Sequence, residues 1–412
     1  MDFKRIKKRF FIYELDVKTI LVGFYFFSTI IFSYCHALQI RVFFYSSVLL
    51  SCYFLFHFYK TKEQIWFFNK YLILYYLLFL FCVISFLVGP KFGSDVQAIT
   101  SFFKVVFVLF LVSNLVKDKQ TFLFVLLVIS FSSLFLFYSN YDLILLANEE
   151  GKRLYGTFND PNQLGYVLLV VIWATVCIFF ILENKWKYLI LVNLLPALYM
   201  VFHTGSRKVF LALILFPFLV FFFHGHFIFK KKSINKIFYY GLFFLIIILV
   251  VCGIAVSPHS KRFKQVGDLL QHGTNLKINR VLYAKAAYSM FIESPVFGKG
   301  FNQFRHKVNQ YYSPKDKYSH STLLELLANS GIIGVILYFG SIFYLFYGIK
   351  QCLNLRIPEK DIIILRFGLI LILLMLLLNI FAVMYFHKLY WPLLAAYAGY
   401  TRSLMFDARA GR

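Results

Sequence analysis

The sequence predicts an all-α polytopic integral membrane protein with about twelve transmembrane helices. Three observations carry this reading. Sixty per cent of the 412 residues are hydrophobic and only 15% are charged, whereas soluble globular chains run at about 45–50% apolar. The 54 Phe and 29 Tyr exceed what one aqueous core buries. The net charge of +25 is spread in short basic clusters between long apolar runs. That layout belongs to a multi-spanning membrane protein; a nucleic-acid binder would gather its charge into a patch. A soluble enzyme and a disordered chain are both excluded.

A helix needs about 20 mostly apolar residues to cross the hydrocarbon core. Such runs fall at 19–36, 41–59, 71–89, 96–116, 121–139, 163–182, 188–204, 207–229, 237–257, 321–349, 361–380 and 386–401. The whole chain, 1–412, reads as one integral membrane domain. The first run has a basic flank but no A-x-A-like cleavage site after it, so a removable signal peptide is not expected. Placing Lys4, Arg5, Lys7, Lys8 and Arg9 in the cytoplasm and alternating sides concentrates Lys and Arg inside, including Lys230, Lys231 and Lys232. The positive-inside rule is met, with both termini cytoplasmic. Two external segments follow from this topology: a loop at 140–162, and a long loop at 258–319 between spans 9 and 10. Spans 11 and 12 are divided only by a soft break from Asn379 to Lys388.

The six cysteines contain no C-x-x-C pair and read as small apolar fillers. No His, Cys or carboxylate set has metal-ligand spacing, and no Gly-rich phosphate loop precedes a Lys-Ser/Thr pair. No metal or cofactor is expected.

Four stretches hold chemistry-bearing residues. The first runs from Arg153 through Asn159-Asp160-Pro161-Asn162. Its Asn, Asp and Pro are turn chemistry that serves equally to start an ordinary helix. The second is Thr204-Gly205-Ser206-Arg207-Lys208, almost without loop between two spans, where an arginine must either snorkel or line a polar cavity. The third, Arg280 to Gly300, carries apolar positions 281, 282, 284, 287, 288, 291 and 292 at helical spacing. It predicts an amphipathic helix at the membrane, stopped by Pro295, with Gly298 and Gly300 allowing a tight turn. In the fourth, Thr322 and Glu325 form a T-x-x-E capping box that starts a helix. His320 stands just before it, at the membrane mouth. Histidine is the natural base near neutral pH, with an unperturbed pKa of about 6.5. Gly331 and Gly334 suit close helix packing. Several arginines, one placed histidine and few carboxylates on one face fit an anionic, lipid-borne substrate.

In this order, RLYGTFNDPNQLG (153–165), TGSRKVFLAL (204–213), RVLYAKAAYSMFIESPVFGKGFNQF (280–304) and HSTLLELLANSGIIG (320–334) resemble the O-antigen ligase and O-antigen polymerase family of bacterial membrane glycosyltransferases. The resemblance covers the second half of the chain. It implies an outward-facing cavity at the cytoplasmic (inner) membrane. It also implies metal- and nucleotide-independent, inverting transfer of glycan from an undecaprenyl-diphosphate carrier to an acceptor sugar hydroxyl. By position, Arg207 and Arg280 match the family's diphosphate-binding arginines, Arg153 matches a frequent loop arginine and is expected to join them at the diphosphate, and His320 matches the proposed base. The family's usual His-Asn pair is His320-Ser321 here. Tyr311, Tyr312 and Tyr318 are candidates to stack on sugar faces. Expected partners are the carrier-linked oligosaccharide, an acceptor glycan, the lipid bilayer and other assembly proteins such as a flippase or chain-length regulator. No nucleic acid is expected. Within the family, a repeat-unit polymerase of O-antigen, capsule or exopolysaccharide is the leading expectation, and a ligase acting on lipid A core or another acceptor is the alternative. The competing class is a lipid-linked oligosaccharide flippase with no chemistry, which would show two-halved pseudo-symmetry.

Overall fold

A computed structural model describes residues 15–32, 38–61, 65, 69–89, 92–150, 152–156, 158, 160–183, 185, 187–230, 279–311 and 318–410. In chain order its helices are α1 (Val17–Phe32), α2 (Leu38–Thr61), α3 (Ile73–Val88, entered by a 3-10 turn at Lys70–Leu72), α4 (Gly93–Leu115), α5 (Lys119–Ser139), α6 (Tyr141–Glu150), α7 (Pro161–Ile181), α8 (Lys187–Ile190), α9 (Leu194–Thr204), α10 (Arg207–Lys230), α11 (Asn279–Glu293), α12 (Gln303–Tyr311), α13 (Thr322–Leu353), α14 (Glu359–Phe381) and α15 (Tyr390–Arg409). No strand occurs among the described residues. The all-α expectation holds.

Helices lie on every expected span except 237–257, which falls outside the described residues. Among the described residues, eight helices are long and apolar enough to cross a membrane. The expected span 188–204 is assembled from α8, a 3-10 turn at Leu191–Asn193 and α9. The soft break at 379–388 resolves as the end of α14 at Phe381 and the start of α15 at Tyr390. Segment 140–162, read as a loop, contains α6, where Tyr-Asp-Leu-Ile-Leu-Leu-Ala follows Asn140 and buries Ile144.

The chain divides into two compact units. The first holds the described parts of 1–64, 115–273 and 356–371. Its core is α7, nearly every side chain of which is buried from Leu164 to Ile181. Apolar contact with lipid tails gives little drive for helices to associate, so packing and interhelical hydrogen bonds must supply it. Ser130 Oγ and Thr175 Oγ1 meet at 2.8 Å, Asn193 Nδ2 donates to Ser130 (3.1 Å), and Ser133 Oγ donates to the Asn193 carbonyl (3.0 Å). Trp173 Nε1 reaches the Phe367 carbonyl at 2.9 Å.

The second unit holds the described parts of 65–114, 274–355 and 372–412. Aromatic side chains with satisfied polar tips build its core. Tyr75 packs against Trp391, the rings tilted by 32° with centroids 3.7 Å apart, and donates to the Tyr385 carbonyl (2.6 Å). Tyr338 donates to Asn379 (2.8 Å), and Trp391 Nε1 to the Met384 carbonyl (3.1 Å).

Candidate functional site

In the first unit, two stretches about fifty residues apart in sequence are tied together. Asp160 is the N-cap of α7: its backbone is extended, its Oδ1 accepts the Asn162 N–H (3.1 Å), and Pro161 follows at the first helical position. The turn residues thus do start an ordinary helix. Asn162 also does more. Its Oδ1 accepts from the Ser206 hydroxyl (2.9 Å) and from Arg153 Nη2 (3.4 Å), while Arg153 Nε donates to the Thr204 carbonyl (2.6 Å). Gly205 (φ +55) closes α9 in the left-handed conformation, and α10 begins two residues on with Arg207. Gly165 permits this approach, since a Cβ there would meet Val209 Cγ2 at 2.8 Å.

Through the Ser206–Asn162 bond, the N-termini of α7 and α10 stand side by side. Helix N-termini present unpaired N–H groups and positive dipole ends, a setting for anions. Arg207 is half-buried, Lys208 is buried, and Lys208 Nζ donates to Tyr166 OH at 3.3 Å. The half-buried Arg153 is therefore no solvated loop cation. It caps the C-terminus of α9.

In the second unit, Arg280 is the second residue of α11, and its side chain lies outside what is described. Of the stripe expected from spacing, Ala287 is buried and Leu282, Ala284 and Phe291 are partly so. Tyr283, Ala286, Ala287 and Met290 pack against Phe304, Val308 and Ala328, whereas Val281, Tyr288 and Ile292 are exposed. Small side chains let α11 sit close to α12 and α13, a gain that a count of apolar positions does not reveal.

The segment after α11 clasps a break in α13. Gly331 is non-helical (φ 60, ψ −159), so the carbonyls before it and the N–H groups after it lose their helical partners. The chain at 295–300 supplies four replacement bonds. Lys299 and Gly300 N–H groups donate to the Ala328 and Asn329 carbonyls (2.8 and 2.9 Å), while Ile332 and Ile333 donate to the Pro295 and Val296 carbonyls (2.9 and 3.4 Å). Gly298 (φ +70) lies against the Asn329–Ser330 peptide, and a Cβ on Gly331 would collide with the Val296 carbonyl. The two glycines that sequence suggested for helix packing thus have different roles: Gly331 breaks the helix, while Gly334 stays helical. Asn329 Oδ1 also accepts the Phe304 N–H (2.6 Å). The segment that follows α11, the helix carrying Arg280, is therefore joined backbone to backbone with the break in the helix that follows His320.

His320 is exposed and adopts φ +62, one of two non-glycine residues with positive φ among those described. That conformation costs a non-glycine residue on the order of 1–3 kcal/mol and gathers at functional sites. Its ring centroid is 6.0 Å from that of Tyr283, one turn along α11 from Arg280.

The expected capping box is not made. The N-cap is Ser321, without a side-chain cap bond. The Thr322 hydroxyl instead donates to the Ala382 carbonyl (2.7 Å) and accepts from Met384 N–H (2.8 Å). Glu325 reaches past the cap to accept the Ser319 N–H (2.8 Å).

The candidate sugar-stacking tyrosines separate. Tyr311 donates to Glu293, whose oxygens both lie 2.8 Å away. Burial, then Glu293, pushes Tyr311 up to about 12, and Lys299 together with Tyr311 holds the Glu293 carboxyl below its usual range. Tyr318 lies under Arg305 at 5.3 Å. Tyr312 is outside the described residues. Sequence reading missed a further cluster: buried Asp95 accepts from Asn302 Nδ2 (2.6 Å) and pairs with His306 Nε2 (2.8 Å), with Phe92 stacked on the His306 ring. Residues some two hundred positions apart leave no local pattern to find.

The helices of the described residues, eight of them of membrane-crossing length and apolarity, define a multi-pass membrane protein. Residues 191–339 match the family model described as O-antigen ligase, which supports a membrane glycosyltransferase of the O-antigen ligase and polymerase type. The matched stretch contains Arg207, Arg280 and His320 and excludes Arg153. A search of curated proteins found no match. The arginines expected to act together are divided: Arg153 and Arg207 belong to the first unit, Arg280 and His320 to the second.

Proposed function

We propose that this protein transfers a glycan from an undecaprenyl-diphosphate carrier to a sugar hydroxyl, at the outer face of the cytoplasmic membrane, as a repeat-unit polymerase. One observation carries the reading: an exposed histidine held in a strained left-handed turn at the head of α13, beside the first turn of α11. His320 takes the proton of the acceptor hydroxyl as its oxygen attacks the anomeric carbon. The bond from that carbon to the diphosphate oxygen breaks, and the carrier diphosphate leaves with the electron pair. A single displacement inverts the anomeric centre.

In the second unit, Arg280 pairs with the diphosphate oxygens as charge builds there; the resemblance gives Arg207 of the first unit the same role. The N-terminus of α10 adds dipole stabilisation beside Arg207. Arg153 holds the Thr204–Ser206 turn from which Arg207 projects. Neither metal nor nucleotide enters this scheme.

The test uses purified full-length protein with carrier-linked repeat units. His320→Ala should insert, bind the donor and lose roughly 10²–10⁴-fold in rate, the contribution of a positioned acid–base group. Wild-type rate should fall on acidification through the histidine range, because the protonated ring accepts no proton. Wild-type output from His320→Ala would remove the base from the scheme. The family's ligase description favours a second reading, transfer to a different final acceptor. Offering lipid A core and carrier-linked units side by side decides between them.

A further inference from the structure

The backbone on both sides of His320 is held by a small set of bonds. Glu325 Oε2 accepts the Ser319 N–H at 2.8 Å. The Ser319 hydroxyl donates to the Ser321 carbonyl (2.8 Å), and the Ser321 N–H points back to that hydroxyl oxygen (3.3 Å). His320 is the exposed residue between two buried serines. Glu325 itself is fully buried, at 0% exposure, with the side chains of Ser319, Asn329 and Arg305 as its polar neighbours. A fully desolvated carboxyl group is a poor device for stability alone. Ordinary capping does not account for it either, since its bond bypasses the N-cap residue. It goes to the residue before the strained histidine.

We infer that Glu325 is a positioning residue for His320. By anchoring the Ser319 N–H it holds the turn in which His320 keeps φ +62, and so presents the imidazole in one place. Without the anchor the turn relaxes to negative φ, the region open to any L-residue, and the ring swings away from the acceptor hydroxyl. Glu325 touches neither substrate nor reacting atoms. The inference rests on the reading of His320 as the general base.

The test is a double-mutant cycle on the full-length protein in lipid nanodiscs, with carrier-linked repeat units as substrate. Glu325→Ala should lower kcat by about tenfold or more, leaving KM for the donor within about twofold. Glu325→Gln keeps an oxygen that can accept the Ser319 N–H and should recover most of the rate. In a His320→Ala background, Glu325→Ala should add less than about a twofold loss, because the group it positions is gone. Should Glu325→Ala fail to accumulate, Glu325→Asp replaces it, since the shorter side chain keeps the carboxyl group but not the reach. Normal kcat without the glutamate, no recovery with glutamine, or an equal loss with and without His320 would each overturn the inference. Normal transfer by His320→Ala alone would instead defeat the base assignment, so the two failures are distinct.

Discussion

A cation in the first turn of a helix meets the positive end of the helix dipole, an arrangement disfavoured by about 0.3–1 kcal/mol unless an anion is present. Arg207 opens α10 and Arg280 is the second residue of α11. In the proposed reaction the carrier diphosphate supplies that anion. A planar guanidinium grips two oxygens at once, whereas lysine offers a point charge. Arg207→Lys and Arg280→Lys should each therefore cost at least about tenfold in transfer rate, roughly 1.4 kcal/mol of transition-state stabilisation. The measurement is initial rate at matched protein level, and near-normal rates in both variants would remove these arginines from contact with substrate.

At the scale of elements, the break in α13 rests on one backbone conformation. With φ 60 and ψ −159, Gly331 occupies a region essentially closed to side chains. Gly331→Ala should destabilise the solubilised protein by about 1–3 kcal/mol from backbone strain, with more from the collision with the Val296 carbonyl. Gly340→Ala, inside the helical half of α13, is the control. There alanine gains about 1 kcal/mol of helix propensity, set against a 3.1 Å contact with Leu74. Equal thermal shifts in the two variants would mean that the clasp contributes nothing.

The start of α5 offers a pH test of a different kind. Asp118 caps it by accepting the Thr121 N–H (2.8 Å) and pairs with Lys18 (2.6 Å). Burial raises the carboxyl pKa, but Lys18 and Thr121 outweigh it, and the net direction is down. A folded pKa below the unfolded value, about 3.9, gives stability that is present above that value and lost as pH falls through the folded one. Asp118→Asn keeps a cap acceptor and loses the pair. It should cost under about 1 kcal/mol near neutral pH, because the pair is partly exposed, and should flatten the stability curve below about pH 4. Thermal unfolding at several pH values checks both.

For the whole molecule, the decisive proposal is topology. If 258–319 is external and both termini are cytoplasmic, a cysteine introduced at Lys277 should label from outside and one at Ser233 from inside. The opposite pattern would place His320 on the wrong side of the bilayer for an outer-face reaction.

Fold class was legible in the chain because membrane insertion is decided by local composition. Each span must be apolar over its own length, whatever its neighbours are. That is why helices lie on every described expected span. Helix starts were legible for the same reason at Asp160-Pro161, where cap and first residue are adjacent. Contacts between distant segments were not. Arg153 on the Thr204 carbonyl, Asp95 with His306, the 295–300 clasp on α13, and Glu325 bonding past the cap to Ser319 all depend on which segments the fold brings together. The capping box failed because Ala382 and Met384, about sixty residues away, claim the Thr322 hydroxyl. A buried polar group must find a partner wherever the fold supplies one, and only the tertiary structure decides which partner that is.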